Sequence, residues 1–252
     1  MVRAETAGGI GRIALDRPEK KNAFTGEMYR QLGEALAAAD ADRAVRVVLL
    51  HGTRECFSAG NDVGDFLKPR ARPEDSPATH LFRTLPVMKK PVVAAVNGPA
   101  IGIGSTLLLH CDLVYAGQGA RFQLPFVALG LVPEFGSTFL LPLLAGYPRA
   151  AEVMLLGEPF TADKALELGM VSAVVPDAEV LNRAERAAAT MAALPPESIR
   201  LTKRLLKETH AAAIAACMAE ESRIFAERLA SPEAKEAMNA FLEKRKPDFS
   251  RF

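Results

Sequence analysis

Apolar and polar residues alternate from Ile10 to Leu15 and the run stops at Arg17-Pro18, which predicts a half-buried strand. From Glu27 to Ala39 the apolar positions Met28, Leu32, Leu36 and Ala39 have the spacing of one helix face. Val45–Leu50 and Val92–Val96 are short runs rich in β-branched residues, and the second is stopped by Asn97-Gly98-Pro99. Gly102–His110 has the length and apolarity of a buried helix, and Leu113–Ala116 returns to strand. Helices are predicted at Glu134–Leu144, Pro148–Leu156 and Thr161–Leu168, a strand at Ala173–Val175, and a helix from Asp177 to Ala192. Repeated strand and helix units imply an α/β core over residues 1–194.

After Leu194-Pro195-Pro196 the pattern changes, because Glu197–Arg245 favours helix throughout and offers no strand. Residues 195–252 are therefore read as a helical subdomain. Its apolar positions Ile214, Cys217, Met218, Ile224, Phe225 and Leu229 exceed what one helix face needs. The surplus fits an oligomer surface or a plain helical core.

With 252 residues, 49% hydrophobic and 24% charged, the chain can bury a full core. Thirty-one basic and thirty acidic residues leave a net charge of +1, so no global field favours nucleic acid or an anionic membrane. An anionic ligand must then be held by local groups. Cys56, Cys111 and Cys217 are odd in number and widely spaced, which argues for buried thiols in a reducing compartment. No apolar leader follows Met1 and no run is long enough to span a membrane, so the expected location is the cytoplasm. Ser250-Arg251-Phe252 does not match a Ser-Lys-Leu peroxisomal address. His51, His80, His110 and His210 lack ligand spacing, and no metal is expected. Lys68–Pro77, with three prolines and mixed charges, reads as a mobile loop beside the site.

Candidate chemistry centres on Glu134, set among Leu131, Val132, Phe135 and Phe139. A carboxylate that loses hydration there has its pKa raised toward the range of a general base. The plain alternative is an acid in the first turn of a helix, favoured by the helix dipole. Two glycine-bearing turns strengthen the first reading: Cys56-Phe57-Ser58-Ala59-Gly60-Asn61-Asp62-Val63 and Asn97-Gly98-Pro99-Ala100-Ile101-Gly102-Ile103-Gly104-Ser105-Thr106. Each follows a strand and precedes a helix, and Asp62 is placed to cap the first of these helices. The second lacks the full Gly-x-Gly-x-x-Gly spacing of a dinucleotide loop. One backbone N–H from each turn would suit an oxyanion. Ser105 and Ser137 lack a nucleophile elbow and a paired histidine, and Glu158 and Asp163 are reserve acids.

Phe57-Ser58-Ala59-Gly60-Asn61-Asp62, Lys90-Pro91-Val92-Val93-Ala94-Ala95-Val96-Asn97-Gly98-Pro99-Ala100 and Cys111-Asp112-Leu113-Val114-Tyr115-Ala116 resemble the crotonase family, also called the enoyl-CoA hydratase/isomerase superfamily. The resemblance extends to Lys21-Asn22-Ala23-Phe24, Leu168-Gly169-Met170-Val171 and Phe241-Leu242-Glu243-Lys244-Arg245-Lys246. It implies a spiral core of ββα turns with a C-terminal α-helical trimerisation region, acyl-CoA thioester ligands, and a homotrimer or a hexamer of two trimers. No cofactor is implied beyond the coenzyme A of the substrate itself.

By position, the resemblance puts the oxyanion donors on the N–H groups of Asn61 and Ile103. Ala23, Ala59 and Asp62 fall on loops that contact the adenine and pantetheine. Phe241 and Lys244 fall on C-terminal positions that reach the nucleotide end, often from a neighbouring subunit; for Lys244 a solvated lysine is the competing reading. Two glutamate positions of the hydratases hold Thr106 and Phe126 here, and neither residue can act as a carboxylate base. Glu134 falls on a third position, acidic in Δ3,Δ2-enoyl-CoA isomerases. The best resemblance is therefore to the peroxisomal-type branch of those isomerases, with Glu134 as single base and Phe126, Leu131 and Phe135 excluding water. The alternatives are hydration, dienoyl isomerisation, or a non-catalytic domain that binds acyl-CoA or a protein.

Overall fold

In the computed structural model, residues 1–66 and 76–252 are described. Most of Lys68–Pro77, the expected mobile loop, lies outside the described residues. The chain opens with a hairpin of β1 (Val2–Ala7) and β2 (Ile10–Leu15), turned through Gly8 and Gly9 at φ 57° and 78°. Both turn residues need positive φ, which glycine alone adopts without strain. The sequence pattern misses β1 because five of its six residues are exposed, so no buried face imposes alternation.

The order continues with α1 (Gly26–Ala41), β3 (Val47–His51), α2 (Val63–Phe66), α3 (Ala78–Thr84), β4 (Val92–Val96), β5 (Pro99–Ile101) and α4 (Ile103–Thr106). It then runs through β6 (Leu113–Gly117), β7 (Arg121–Gln123), α5 (Ser137–Ala145), α6 (Tyr147–Leu156), β8 (Phe160–Thr161), α7 (Ala162–Glu167) and β9 (Ala173–Val175). Four helices close the chain: α8 (Val180–Ala193), α9 (Pro196–Glu208), α10 (Ala211–Leu229) and α11 (Pro232–Leu242). The predicted helix over Gly102–His110 divides into α4 and a 3-10 turn, Leu107–His110.

One sheet has the order β1-β2-β3-β4-β6-β9, parallel from β2 onward, and a second holds β5-β7-β8. Alternation along the parallel strands feeds two cores. Val48, Leu50, Val92, Ala94, Val96 and Val114 face the larger core, which contains the inner face of α1. Val47, Leu49, Val93, Ala95 and Tyr115 face α8 through Val180, Ala184, Ala187 and Ala188.

The C-terminal helices fold back on this body. Ile214, Met218, Phe225 and Leu229 of α10 pack against the larger core, so much of the apolar surplus on that helix covers the chain's own interior. Lys203 of α9 is buried and donates to Lys90 O and Asp112 Oδ2, both at 2.7 Å. Among the described residues, no helix is long and apolar enough to cross a membrane.

Candidate active site

The two glycine turns are joined to each other. Ser58 and Ala100 form an isolated parallel bridge, with Ser58 N–H donating to Pro99 O at 2.9 Å and Ile101 N–H to Ser58 O at 3.0 Å. Gly60 takes φ 88°, and a Cβ there would lie 3.0 Å from Ile101 O. Gly102, at φ 55°, ends β5 and opens α4. Beyond the bridge stand Asn61 and Ile103, whose backbone N–H groups donate to no acceptor among the described residues. Ile103 is fully buried, while Asn61 is half-buried and its Oδ1 accepts from Tyr29 Oη at 2.7 Å. These two unspent amides, on turns held in register by the bridge, are the candidate donors to an oxyanion.

A third loop is tied to the first turn. Ala59 N–H donates to Lys21 O at 2.9 Å and Phe24 N–H to Gly60 O at 2.7 Å, which brings Ala23 and Ala59 onto neighbouring backbone. Lys21 and Asn22 have positive φ, 49° and 54°. Asn22 secures this bend: it is buried, and its Nδ2 donates to Cys56 O and Phe57 O at 2.9 and 3.1 Å. Asp62 caps α2 by accepting from Asp65 N–H at 3.1 Å, as expected. Its other oxygen accepts from Arg17 Nη1 at 2.8 Å, and that hydrogen bond holds the carboxyl below its ordinary range. Arg17 also donates to Ala23 O at 2.9 Å, so one guanidinium ties both loops.

Glu134 is buried, at 7% exposure, beside buried Leu131 and Phe135. It does not occupy the first turn of a helix. Phe135 and Gly136 both take positive φ, 65° and 71°, and α5 begins only at Ser137, so the acid is carried on a sharp loop. Phe135 connects that loop to both turns. Its ring stacks on Phe82 with centroids 4.1 Å apart; Phe82 meets Tyr29 edge-on at 6.5 Å, and Tyr29 bonds Asn61. Its carbonyl accepts from His110 Nε2 at 2.7 Å, and His110 ends the 3-10 turn that continues α4. A carbonyl can only accept, so the ring carries its proton on Nε2. Burial pushes the His110 pKa down to about 3, which keeps the imidazole neutral.

Thr106, on α4, is fully buried and its Oγ1 has no partner among the described residues. Phe126 is buried in the same core as Ile103, Leu107 and Phe135. Phe241, in the last turn of α11, and Lys244, two residues beyond it, are exposed; α11 packs on Val127–Leu129 and on α10. Glu158 and Asp163 are exposed. Among the described residues, no group of three or more His, Cys, Asp or Glu side chains could hold a metal ion. Burial also raises the thiols, Cys56 to about 11 and Cys111 to about 12, so neither is a reactive nucleophile.

Sequence reasoning overlooked Arg17, Asn22, Tyr29 and His110 as parts of this framework, and with them Glu221, whose carboxylate accepts from Gly136 N–H and Thr138 N–H just beyond Glu134. The double left-handed bend at Lys21-Asn22 was the one local signal, since asparagine tolerates that conformation. The others act across separations only the fold reveals.

The family model described as enoyl-CoA hydratase/isomerase matches residues 5–251. The 2,3-dehydroadipyl-CoA hydratase of Escherichia coli K12 is 36% identical over 94% of this chain and 93% of its own length. Enoyl-CoA delta isomerase 2 of Rattus norvegicus is 35% identical over 95% of this chain, which spans 62% of that longer protein. Hydratase and isomerase names both recur among the other relatives. A solved structure of an enoyl-CoA hydratase/isomerase from Pseudoalteromonas atlantica T6c superposes with a TM-score of 0.94 at 39% identity, covering 99% of each chain.

Proposed function

This chain belongs to the enoyl-CoA hydratase/isomerase family, with a crotonase-type fold and acyl-CoA thioester chemistry, and within that family we propose that it is a Δ3,Δ2-enoyl-CoA isomerase acting in fatty acid degradation. The observation that carries the reading is the asymmetry of acids. Glu134 is a buried carboxylate, whereas the two positions that carry glutamates in the family's hydratases hold Thr106 and Phe126.

In the proposed reaction Glu134 removes a proton from C2 of a 3-enoyl-CoA. The electron pair moves into a dienolate, and its thioester oxygen accepts hydrogen bonds from the N–H groups of Asn61 and Ile103. These donors lower the barrier because negative charge on that oxygen is greatest in the transition state; removing one such donor typically costs about 3 kcal/mol. The same carboxyl then returns the proton to C4, leaving the double bond between C2 and C3. One base suffices because donor and acceptor carbons lie close on one face of the ligand. Phe126, Leu131 and Phe135 are buried and apolar, which favours proton return over attack by water.

Ala23 and Ala59 are proposed to line the pantetheine path, with Asp62 positioned beside it by Arg17. Phe241 and Lys244 are proposed to meet the nucleotide end from a neighbouring copy in a homotrimer or a hexamer of two trimers. The exposed apolar side chains Leu143, Leu144, Tyr147, Leu155 and Leu156 support self-association. Sedimentation should give three or six copies.

Glu134→Gln should lose roughly 100- to 10,000-fold in turnover of 3-enoyl-CoA while still binding acyl-CoA. Near wild-type turnover would sink the assignment. Hydration is the second reading, because relatives with hydratase names match as well as those with isomerase names. A panel of 3-enoyl, 2-enoyl and dienoyl thioesters, with products identified by mass, separates these reactions.

A further inference from the structure

We infer that Glu221, on α10 of the C-terminal helical region, is the residue that positions Glu134, an inference that rests on Glu134 being the base. Glu221 is 5% exposed although it lies on a helix whose neighbouring residues are mostly open to solvent. Its carboxylate reaches across to the start of α5. Oε2 accepts from Gly136 N–H at 2.5 Å, and Oε1 accepts from Thr138 N–H at 2.9 Å and Thr138 Oγ1 at 2.6 Å. All three donors lie two to four residues beyond Glu134.

These donors belong to the segment that is hardest to hold. Phe135 is a bulky residue in the left-handed region, followed by a second positive φ at Gly136. Such a pair persists only where surrounding contacts over-determine it. His110 holds the carbonyl of Phe135, Phe82 holds its ring, and Glu221 holds the next amide and the one two residues on. Met218 and Ile214, one and two turns before Glu221 on α10, close over Gly136, where a Cβ would lie 3.1 Å from Met218 Cγ and 3.4 Å from Ile214 Cγ2. The conformation that aims Glu134 thus depends on a carboxylate supplied by the C-terminal region.

The anion is suited to this task. The first amides of a helix have no acceptor within the helix, and a carboxylate there takes charge-assisted hydrogen bonds favoured by the helix dipole. A glutamine can present only one acceptor oxygen, so in Glu221→Gln either Gly136 or Thr138 faces an NH2 group. The loop then leaves its present geometry, and a displacement near 1 Å at a reacting group costs roughly 100-fold in rate.

The test compares Glu221→Gln, Glu134→Gln and the double variant in steady-state turnover of 3-enoyl-CoA, with acyl-CoA binding and thermal unfolding measured alongside. Glu221→Gln should lower kcat roughly 10- to 100-fold with KM changed less than threefold. In the Glu134→Gln background the same substitution should have no further effect on the residual rate, because its action passes through Glu134. Unchanged kcat in Glu221→Gln, or losses that multiply in the double variant, would overturn the inference. Should Glu221→Gln fail to fold, Thr138→Val, which removes the hydroxyl bond to Oε1 together with a 3.2 Å contact to Cys217 Sγ and leaves both backbone bonds to Glu221, must still lower kcat more than KM; an unchanged kcat there also overturns it. Full activity of Glu134→Gln would instead remove the isomerase reading itself, a result the single Glu221 variant cannot produce.

Discussion

Ser58 pairs with Ala100 in a single parallel bridge, and the two amides proposed to hold the oxyanion, on Asn61 and Ile103, each follow their bridge residue by three positions. One backbone pairing therefore registers both halves of the site. Its strength lies in close packing: a Cβ on Gly104 would lie 3.0 Å from Ser58 O, and one on Gly60 the same distance from Ile101 O.

The close approach makes Gly60→Ala a test of that register. At φ 88° a side chain costs about 1–3 kcal/mol, and the contact with Ile101 O adds to it. Turnover should fall together with stability, because Asn61 N–H is the next donor along the chain. Gly8→Ala is the control: it meets a similar φ, 57°, with open space around the new methyl and far from the site. Urea unfolding should show both variants weakened, and only Gly60→Ala should lose activity.

Thr106→Val removes a buried hydroxyl that has no partner among the described residues and replaces it with a methyl group of nearly the same shape. An unpartnered buried polar group is unfavourable, so the variant should be as stable as the parent or up to about 1 kcal/mol more stable. The proton shift does not use this hydroxyl, and kcat should change less than twofold. A large loss of kcat in a stable variant would show that Thr106 meets the ligand.

His110 supplies a pH dependence with a definite sign. Its folded pKa, about 3, lies below its ordinary 6.5, so the unfolded chain binds more protons between these values. The neutral ring's contribution is complete above pH 6.5 and declines as pH falls toward 3. At pH 5 the loss relative to pH 7 amounts to about 2 kcal/mol, from 1.36 kcal/mol per pH unit over 1.5 units. His110→Gln keeps a donor for Phe135 O and removes the titration. Its stability difference between pH 7 and pH 5 should be smaller than the parent's by that amount, read from unfolding curves at the two values.

What the sequence pattern discloses depends on how local the cause is. The parallel strands and α6, α7 and α8 stand within a few residues of their predicted ends, because burial on a sheet or helix face writes a period into the chain. Exposed β1 and the three short strands of the second sheet leave no such mark. Glu134 and the two turns could be picked out as candidates, yet Glu134 was expected in a helix; positive φ at Phe135, which no propensity would suggest, ends that expectation. Glu221 and His110 touch the loop that carries Glu134 from 85 and 25 residues away, contacts that exist only in the folded chain.

Arg17 offers the last test, directed at binding more than chemistry. Its Nη1 donates to Asp62 Oδ2 and to Ala23 O, so it links the two loops proposed to take the pantetheine arm. The pair is partly buried, with side chains 15% and 19% exposed, so solvent screens it incompletely. Arg17→Met keeps much of the apolar stem but leaves Asp62 and Ala23 O without their donor. The loops should then loosen around Asp62 and Ala23, while the bonds from Ala59 N–H to Lys21 O and from Phe24 N–H to Gly60 O and the Ser58–Ala100 bridge stay in place. KM for acyl-CoA should rise several-fold while kcat at saturation stays within about threefold, because binding made equally in ground and transition states affects KM alone. Asp62→Asn has one acceptor oxygen, which can serve the α2 cap or Arg17 but not both, while Arg17 keeps its bond to Ala23 O, so this variant should show a smaller rise. A fall in kcat with unchanged KM would place Arg17 with the oxyanion turns instead of the ligand path.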